Sequence, residues 1–175
     1  MTIYSAQSGD WFDSYTWDGG NVPDPQYDDV VIVSGHSVYT NGGFTFASGR
    51  YLTIESGASL SISASVQFDG GSTLDISGSL DIQGGYYLYL YGYLNVQGGG
   101  SLNVYGNCYF EGDGKSIYGS LYVGSSAYAY LQYSCTMYVY GSLYLDWSGN
   151  LYLYSYPNLY VESGGSMTVQ GYLSL

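Results

Sequence analysis

The sequence predicts an all-β fold, a single parallel β-solenoid in which short stacked strands enclose a core of Leu, Ile and Val. First, the chain repeats from residue 51 in units of fourteen residues, such as YLTIESGASLSISA at 51–64 and SLDIQGGYYLYLYG at 79–92. Second, each unit contains two apolar-x-apolar pairs, whose period of two places both apolar residues on one face of a strand. Third, Gly-Gly, Ser-Gly or Tyr-Gly separates the pairs and bends the chain. Strands this short are unstable alone, so they must stack to bury a continuous core.

The repeat is compatible with two geometries, a flat coil with two sides and a coil with three sides. A flat coil takes one unit of fourteen residues per turn, whereas a three-sided coil takes about twenty-one residues. We favour three sides because the eight-residue insertion at 120–127 then adds one side, whereas in a flat coil it would place every later strand on the wrong face. The three-sided alignment predicts one inward column of Leu52, Leu74, Leu94, Ile117, Met137 and Leu159. It predicts a second column of Leu60, Leu80, Leu102, Leu121, Leu143 and Met167.

Both ends of the chain differ from the repeat. Residues 1–29 contain two tryptophans and two prolines but no repeat, and we expect them to cap the first coil of a solenoid that spans residues 30–175. At the other end, Leu173 and Leu175 occupy core positions in the last coil. Three explanations stay open: the chain is truncated, the last coil contacts another subunit, or Met1–Tyr4 of a neighbour covers it by β-augmentation. We expect a subunit contact at this end.

Composition and charge argue against two classes of partner. Charged residues make up 9% of the chain, against about 25% in an average globular protein. The net charge is −12, and Arg50 and Lys115 are the only cationic side chains. Nucleic-acid binding needs several Lys or Arg to neutralise phosphates, and anionic membranes repel acidic proteins, so we expect neither partner. No apolar run is long enough for membrane insertion. The start of the chain does not resemble a signal peptide, which favours release by another route, such as cell lysis.

The sequence offers weak candidates for catalysis. Cleavage of acidic sugars by a lyase needs cationic groups and a proton acceptor, which two cationic residues hardly supply. A glycoside hydrolase needs two carboxylates about 5–9.5 Å apart, and Asp69, Asp75 and Asp81 are the best candidates. Asp75 and Asp81 are the middle residues of their strands and should point outward, where they favour solubility. We therefore expect a protein that is not an enzyme.

No cofactor or metal site is expected, with Ca²⁺ as the only weak alternative. One repeat position, just before a glycine turn, is occupied by Glu55, Asp69, Gln83, Gln97 and Glu111. Short polar side chains there favour hydrogen bonds to turn amides over calcium ligation, because two of the five are amides and the segment lacks a dense Asp/Gly calcium loop. His36 is the single histidine and is a poor metal ligand alone. Cys108 occupies a core position and should be a buried thiol, although a disulfide with Cys135 stays open.

Tyrosine is the unusual chemical resource of this chain, with 25 residues. The middle, outward positions of strands are occupied by Tyr89, Tyr122, Tyr138, Tyr144, Tyr152 and Tyr160. One interpretation is a set of stacked ladders that stabilise the sheets by up to about 1 kcal/mol per pair. The other is a contact surface, because Tyr is large, stiff and amphipathic and dense exposed aromatics need cover. Such a surface would pack against copies of the same protein or stack on sugar rings.

A motif lies in the N-terminal segment. It reads Gly9-Asp10-Trp11, then Trp17, Gly19-Gly20, Val22-Pro23, Asp28-Asp29-Val30-Val31-Ile32 and Ser34-Gly35-His36-Ser37-Val38. Over residues 8–40 this stretch resembles the opening of pectate-lyase-like β-helix proteins, including the eight-glycine β-helix domain of surface proteins from Bacteroidota and their phages. The resemblance implies a right-handed three-sided β-helix at a cell or virion surface, and no particular activity. The chain departs from the long surface proteins because it shows neither a secretion signal nor a C-terminal sorting domain.

Together these observations predict a non-enzymatic structural protein. It would self-assemble into a surface fibre or extracellular filament through its Tyr-rich faces and its last coil, and a virion fibre or decoration protein suits the missing signal peptide. The alternative is a glycan-binding adhesin or phage receptor-binding module that uses outward Tyr and Asp side chains. Under either hypothesis the protein is extracellular, at a cell surface or on a virion, and its partners are copies of itself or a glycan.

Overall fold

The chain forms a three-sided parallel β-helix. The computed structural model describes residues 1–175, whose 23 strands form three sheets of eight, eight and seven strands. Every pairing between named strands is parallel, and from β3 onward each strand pairs with the strand three places further along the chain, so one coil uses three strands. Parallel connections of this kind are right-handed in nearly all proteins. The three-sided right-handed β-helix is therefore confirmed, and the flat coil is excluded.

The strands are four residues long on average, and each sheet takes every third one. In spatial order, the first sheet contains β1 (Thr2–Tyr4), β3 (Asp29–Ile32), β6 (Tyr51–Ile54), β9 (Thr73–Ile76), β12 (Tyr93–Val96), β15 (Lys115–Ile117), β18 (Thr136–Val139) and β21 (Asn158–Val161). The second sheet contains β2 (Gly9–Asp10), β4 (Ser37–Thr40), β7 (Ser59–Ile62), β10 (Ser79–Ile82), β13 (Ser101–Val104), β16 (Ser120–Val123), β19 (Ser142–Leu145) and β22 (Ser166–Val169). The third sheet contains β5 (Phe44–Phe46), β8 (Val66–Phe68), β11 (Tyr87–Leu90), β14 (Asn107–Glu111), β17 (Tyr128–Gln132), β20 (Asn150–Tyr154) and β23 (Tyr172–Ser174).

The core consists of the inward residues of all three sheets. In most strands buried and half-buried positions alternate, as the period of two requires. The second predicted column is confirmed at every rung, from Leu60 through Leu80, Leu102, Leu121 and Leu143 to Met167. Cys108 is confirmed as a buried core residue, in register with Leu88 and Ala129. Both cysteines are free thiols, so no disulfide crosses the core.

The first predicted column is wrong at one rung. Lys115, and not Ile117, lies in register with Leu94 on one side and Met137 on the other. Ile117 lies two residues further along the same strand, in the neighbouring inward column. The fourteen-residue unit is one residue short at 107–119, so the sequence does not fix which residue of this strand continues the column. Ile117 was predicted in place of Lys115 because burying a lysine is energetically unfavourable.

Lys115 is buried among backbone carbonyls. Its side chain is 0% exposed, and its ammonium donates hydrogen bonds to the carbonyl oxygens of Gly92 at 2.7 Å, Glu111 at 2.5 Å and Asp113 at 3.3 Å. The carbonyls of Gly92 and Asp113 accept no backbone hydrogen bond. The shortened corner therefore lacks N–H donors, and the lysine supplies them from inside the coil.

Glycines at the corners allow successive coils to stack. A methyl group added at Gly141 would lie 2.0 Å from the carbonyl oxygen of Gly119 in the coil below. Gly57 has a φ of 79°, a left-handed conformation that only glycine adopts without strain. The glycine before a strand is thus required by close contact, whereas the glycine inside the turn is required by its backbone angle.

Residues 1–29 add strands as well as covering the first coil. Strands β1 and β2 pair with β3 and β4 and so extend the first and second sheets. The third sheet starts only at β5, where the ring of Trp11 stacks on Phe44 with centroids 4.3 Å apart. Trp17 donates its indole N–H to the carbonyl oxygen of Trp11 at 2.6 Å. Two short 3₁₀ turns, Ser14–Thr16 and Asp18–Gly20, connect these parts.

Candidate functional site: the tyrosine face and the last coil

Four tyrosines form a continuous stack on the outer side of the third sheet. Tyr89, Tyr109, Tyr130 and Tyr152 lie in register on β11, β14, β17 and β20, and we call them the tyrosine ladder. Successive ring centroids are 5.1, 4.6 and 5.3 Å apart, with interplanar angles of 13°, 7° and 13°. Parallel rings at these separations overlap in the offset stacking that aromatic pairs prefer. Each inner ring therefore covers part of its neighbours, and only the ladder's ends leave a ring face uncovered by the next rung.

Four further tyrosines widen the ladder into a surface. Tyr87, Tyr128, Tyr154 and Tyr172 flank it, with centroids 5.7–6.2 Å from the nearest ladder rings. Tyr128, Tyr154 and Tyr172 are 38%, 48% and 56% exposed. We call these eight residues the tyrosine face. Asn107 and Asn150 lie in register between Tyr87, Tyr128 and Tyr172, so tyrosine and asparagine alternate in this flanking column.

The two central phenols of the tyrosine face are uncharged at physiological pH. Burial raises the pKa of the Tyr109 phenol above its ordinary value, and the neighbouring phenols of Tyr89 and Tyr87 raise it further. Burial also raises the pKa of Tyr130, with Tyr109 as the next cause. The phenols of Tyr109 and Tyr130 consequently keep their protons and act as donors and acceptors of hydrogen bonds.

The six tyrosines predicted to point outward do so, but they do not share one surface. Tyr89 and Tyr152 lie on the third sheet, whereas Tyr122 and Tyr144 lie on the second with centroids 5.7 Å apart. The hydroxyls of the second-sheet pair donate hydrogen bonds to nearby side chains. Tyr122 donates to an Asp146 carboxylate oxygen at 2.9 Å, and Tyr144 donates to the Gln170 side-chain oxygen at 2.6 Å.

The remaining pair, Tyr138 and Tyr160, stacks on the first sheet with centroids 5.2 Å apart. At the corner beyond that sheet, Tyr118 and Tyr140 form a further stack with a centroid separation of 4.6 Å and an angle of 6°. Every sheet thus carries stacked tyrosines, but only the third carries them over four consecutive rungs.

Sequence reasoning missed the two central rungs of the ladder. Tyr109 lies between Cys108 and Phe110, and Tyr130 lies between Ala129 and Leu131. Neither flanking pair matches a template of two aliphatic residues, although all four flanking residues are buried. A template that accepted any small or apolar residue at inward positions would have found both tyrosines.

The last coil leaves part of its inward face open. Val161 and Val169 occupy inward positions of β21 and β22 and are 45% and 42% exposed, whereas the equivalent residues of the preceding coil are buried. Leu173 lies in register with Leu151 and is partly buried, as expected for a core position. Leu175 follows the end of β23 and is 92% exposed, so the expectation that it occupies the core is wrong.

The three candidate catalytic carboxylates are not brought together. Asp69 follows β8 on the third sheet, Asp75 lies in β9 on the first, and Asp81 lies in β10 on the second. Asp75 accepts a hydrogen bond from Asn95 at 2.8 Å, and Asp81 accepts one from Asn103 at 2.7 Å. Both are outward rungs of polar ladders, as predicted, and no pair of the three faces a common cleft.

The polar residues before the glycine turns occupy three different corners, not one column, because a coil uses one and a half repeat units. Only the Glu55 carboxylate binds a turn amide, that of Ser34 at 2.9 Å. Asp69 and Glu111 instead accept side-chain amides of Gln67 and Gln132. The turns are closed by backbone carbonyls, so the predicted role of these side chains is correct only for Glu55.

The structure contains no group of three or more His, Cys, Asp or Glu suited to a metal ion.

His36 has a structural partner that the sequence did not reveal. The Ser5 hydroxyl lies 2.8 Å from His36 Nδ1 and accepts a hydrogen bond from the backbone N–H of Val33 at 2.8 Å. Ser5 is 4% exposed. The pair attaches the N-terminal segment to the first corner of the coil.

A shallow depression of about 250 Å³ lies next to the first rung of the ladder. It is lined by Gly43, Thr45, Ser65, Gln67 and Tyr89, together with Phe44 and Val66. The outward residues of β5 and β8 on this row are Thr45 and Gln67, not tyrosines, so the surface steps down in front of the Tyr89 ring.

Comparisons with known proteins return no relative. No protein-family model, no curated protein and no solved structure matches this chain. No helix of the structure is long and apolar enough to cross a membrane.

Proposed function

We propose that this protein is a non-enzymatic structural protein that self-assembles into a fibre or filament at a cell or virion surface. The observation that carries the proposal is the tyrosine face, eight tyrosines on one side of a rigid solenoid. An exposed aromatic surface of this density on a soluble protein is typical of a contact site. The last coil supplies a second contact, because its inward valines are partly exposed.

A second copy of the chain is the partner that suits the tyrosine face best. Phenol hydroxyls both donate and accept hydrogen bonds, so a tyrosine surface is complementary to itself, unlike a surface of carboxylates or of lysines. A two-fold contact requires this kind of self-complementarity. A second solenoid also repeats at the same strand spacing of about 4.8 Å, so rows of one copy can meet rows of the other along the whole face.

The size of the tyrosine face makes the lateral contact weak. Five strands at about 4.8 Å spacing and about 16 Å length give a face of roughly 400 Å². A stable interface buries about 800 Å² on each partner. The lateral contact alone should therefore be transient, and a lasting assembly needs the axial contact of the last coil as well.

Net charge should oppose assembly at low salt. Each copy carries a charge of −12, and copies repel one another unless salt screens them. Six of the fourteen acidic residues lie in residues 10–29, at the end of the solenoid opposite the last coil, so the tyrosine face lies away from the densest charge. Assembly should therefore increase with ionic strength, which is the opposite of an assembly held by salt bridges.

The test is negative-stain electron microscopy with light scattering, over a series of protein and salt concentrations. Replacing Tyr128, Tyr154 and Tyr172 with Ser removes the most exposed part of the face and should raise the concentration needed for assembly roughly tenfold or more. The matched control replaces Tyr15 and Tyr27, which are 78% and 74% exposed but lie outside the face. A wild-type chain that stays monomeric at every concentration and salt level would refute the proposal.

Glycan binding is the second candidate, and the depression beside Tyr89 favours it. A sugar ring could stack on the uncovered side of Tyr89 while Gln67 and Ser65 supply hydrogen bonds. The inner rungs of the ladder offer less ring face, because each is overlapped by its neighbours. Replacing Tyr89 with Ser should abolish binding on a glycan array and leave the oligomeric state unchanged.

A further inference from the structure

Two pairs of tyrosines bring phenols of successive coils into contact. The rings of Tyr109 and Tyr130 have centroids 4.6 Å apart at 7°, and those of Tyr118 and Tyr140 have centroids 4.6 Å apart at 6°. These are the closest tyrosine stacks in the structure. Tyr118 and Tyr140 are 49% and 38% exposed, and Tyr109 and Tyr130 are half-buried on the outer side of the third sheet. All four rings are thus accessible from solvent.

We propose that these stacks are a site of oxidative modification, at which the rings of successive coils couple to dityrosine in the presence of a one-electron oxidant such as a peroxidase with hydrogen peroxide. The bond would staple one coil to the next. This inference does not rest on self-assembly, since both rings of each pair belong to the same chain.

The chemistry balances with peroxide as the oxidant. Each phenol loses one electron and its hydroxyl proton and becomes a phenoxyl radical. The two radicals join through a carbon–carbon bond between ring positions next to the oxygens, and the hydrogens displaced from those carbons return to the oxygens. Hydrogen peroxide takes up the two electrons and two protons and leaves as two molecules of water. The protein loses two hydrogen atoms for each bond.

Contact geometry selects these tyrosines over more exposed ones. A radical on Tyr109 or Tyr130 already touches a second phenol, so a radical formed on either ring has its coupling partner in place. Tyr15 and Tyr27 are more exposed, at 78% and 74%, but neither stacks on another aromatic ring. Two other residues that an oxidant could attack, the cysteines, are shielded from solvent because both are buried.

Trp147 and Met1 are exposed oxidisable residues, at 78% and 74%. Trp147 is the residue at which one-electron oxidation without coupling is expected. A variant with Trp147 replaced by Phe should raise the dityrosine yield, since fewer oxidising equivalents are then lost to the indole.

The experiment treats dilute full-length protein with a peroxidase and limiting hydrogen peroxide. Dityrosine is followed by its fluorescence, and the linked peptides are identified by mass spectrometry. We expect monomeric protein on a denaturing gel, with bonds between Tyr109 and Tyr130 and between Tyr118 and Tyr140. The oxidised protein should also unfold at a higher denaturant concentration than the untreated protein.

Phenylalanine variants provide the matched controls. Tyr130→Phe with Tyr140→Phe keeps the stacked rings but removes one hydroxyl from each pair, and should lose the two linked peptides that contain the Tyr109–Tyr130 and Tyr118–Tyr140 bonds. Tyr15→Phe with Tyr27→Phe should leave the yield unchanged. Circular dichroism verifies that both variants retain the wild-type fold before oxidation.

Three outcomes would overturn the inference. The first is coupling at Tyr15 or Tyr27 as efficient as coupling at the stacks, and the second is an equal yield from urea-unfolded protein. The third is coupling of stacked tyrosines only in covalent dimers, which would exclude the staple within a chain while supporting the lateral contact proposed above. A protein that is monomeric by light scattering and still forms the staple would refute self-assembly but not this inference.

Discussion

Lys115 offers the most quantitative test of this structure. The substitution Lys115→Met keeps the length of the side chain among Leu94 and Met137 but removes the ammonium. Three carbonyl oxygens then lose their donor, and those of Gly92 and Asp113 have no backbone donor to replace it. Gly92 is buried, whereas Asp113 is exposed and its carbonyl can bind water instead. An unsatisfied buried carbonyl costs about 1–3 kcal/mol, and part of that cost is offset because a buried charge no longer has to be desolvated. We expect a net loss of about 1–3 kcal/mol in the free energy of unfolding at neutral pH.

The pH dependence of this loss has a definite sign. Burial lowers the pKa of Lys115 in the folded chain, whereas an unfolded lysine has a pKa of about 10.4. At pH values between the folded and the unfolded pKa, the unfolded chain binds more protons than the folded chain. The wild-type free energy of unfolding therefore increases with pH in this range and levels off above about 10.4. Methionine has no proton to lose. The stability difference between wild type and Lys115→Met should therefore widen as pH rises toward that value and stay constant below the lowered pKa.

Urea unfolding followed by circular dichroism, at several pH values, measures both quantities. The control is Leu94→Met, a swap of similar volume on the neighbouring rung, which should cost less than about 1.5 kcal/mol. Taking differences cancels the tyrosine ionisations that all the variants share. A Lys115→Met variant as stable as wild type, with a difference that does not change with pH, would show that the carbonyls reach water and that the lysine is not buried among them.

Two further predictions test the stacking of coils and the closure of the core. Gly141→Ala should destabilise the fold by roughly 2 kcal/mol or more, because its methyl group would meet the Gly119 carbonyl, whereas Gly98→Ala, which meets nothing within 4 Å, should be nearly neutral; denaturant midpoints of the two variants decide this. Burial raises the pKa of Cys135 to about 11 and that of Cys108 well above its usual range. Both thiols should therefore react with a disulfide reagent at pH 8 only after unfolding, and rapid labelling of the folded protein would indicate that the coil opens.

The fold could be predicted because its inward and outward positions obey a simple period. Stacking required an aliphatic residue at nearly every inward position, and the eight-residue insertion distinguished three sides from two. The rung at Lys115 could not be predicted, because the one-residue deletion in 107–119 can be placed on either side of the lysine. The hydrogen bonds to three backbone carbonyls that stabilise the buried ammonium are visible only in the structure. The ladder was predicted only at Tyr89 and Tyr152. Cys108 was predicted to lie in the core, but the outward position of the neighbouring Tyr109 was not inferred from it, and Tyr130 follows Ala129, a residue too small to mark a core strand clearly.

The N-terminal segment and the last leucine show a different limit. The strands that residues 1–29 contribute are two and three residues long, too short for any periodicity to appear. Ile3 is buried, but one apolar residue does not identify a strand. Leu175 matched the apolar-x-apolar pattern, yet it lies outside β23 and is exposed. Sequence periodicity identifies the interior of a solenoid and loses its power at both ends.

The proposed assembly follows from how the two contacts differ in symmetry. In the proposed assembly the tyrosine face would meet its own copy in a closed two-fold contact, which joins two chains and stops. The last coil would meet a different surface, near the first coil of the next chain, and a head-to-tail contact of this kind propagates without limit when its rotation does not close. Neither contact alone would give a paired filament, because the first would give dimers and the second would give single strands of chains. Blocking the tyrosine face should therefore leave thin filaments, and introducing a charge at Val161 or Val169 should leave dimers that form only transiently at high protein concentration, so light scattering and microscopy of the two variants would identify which contact each surface makes.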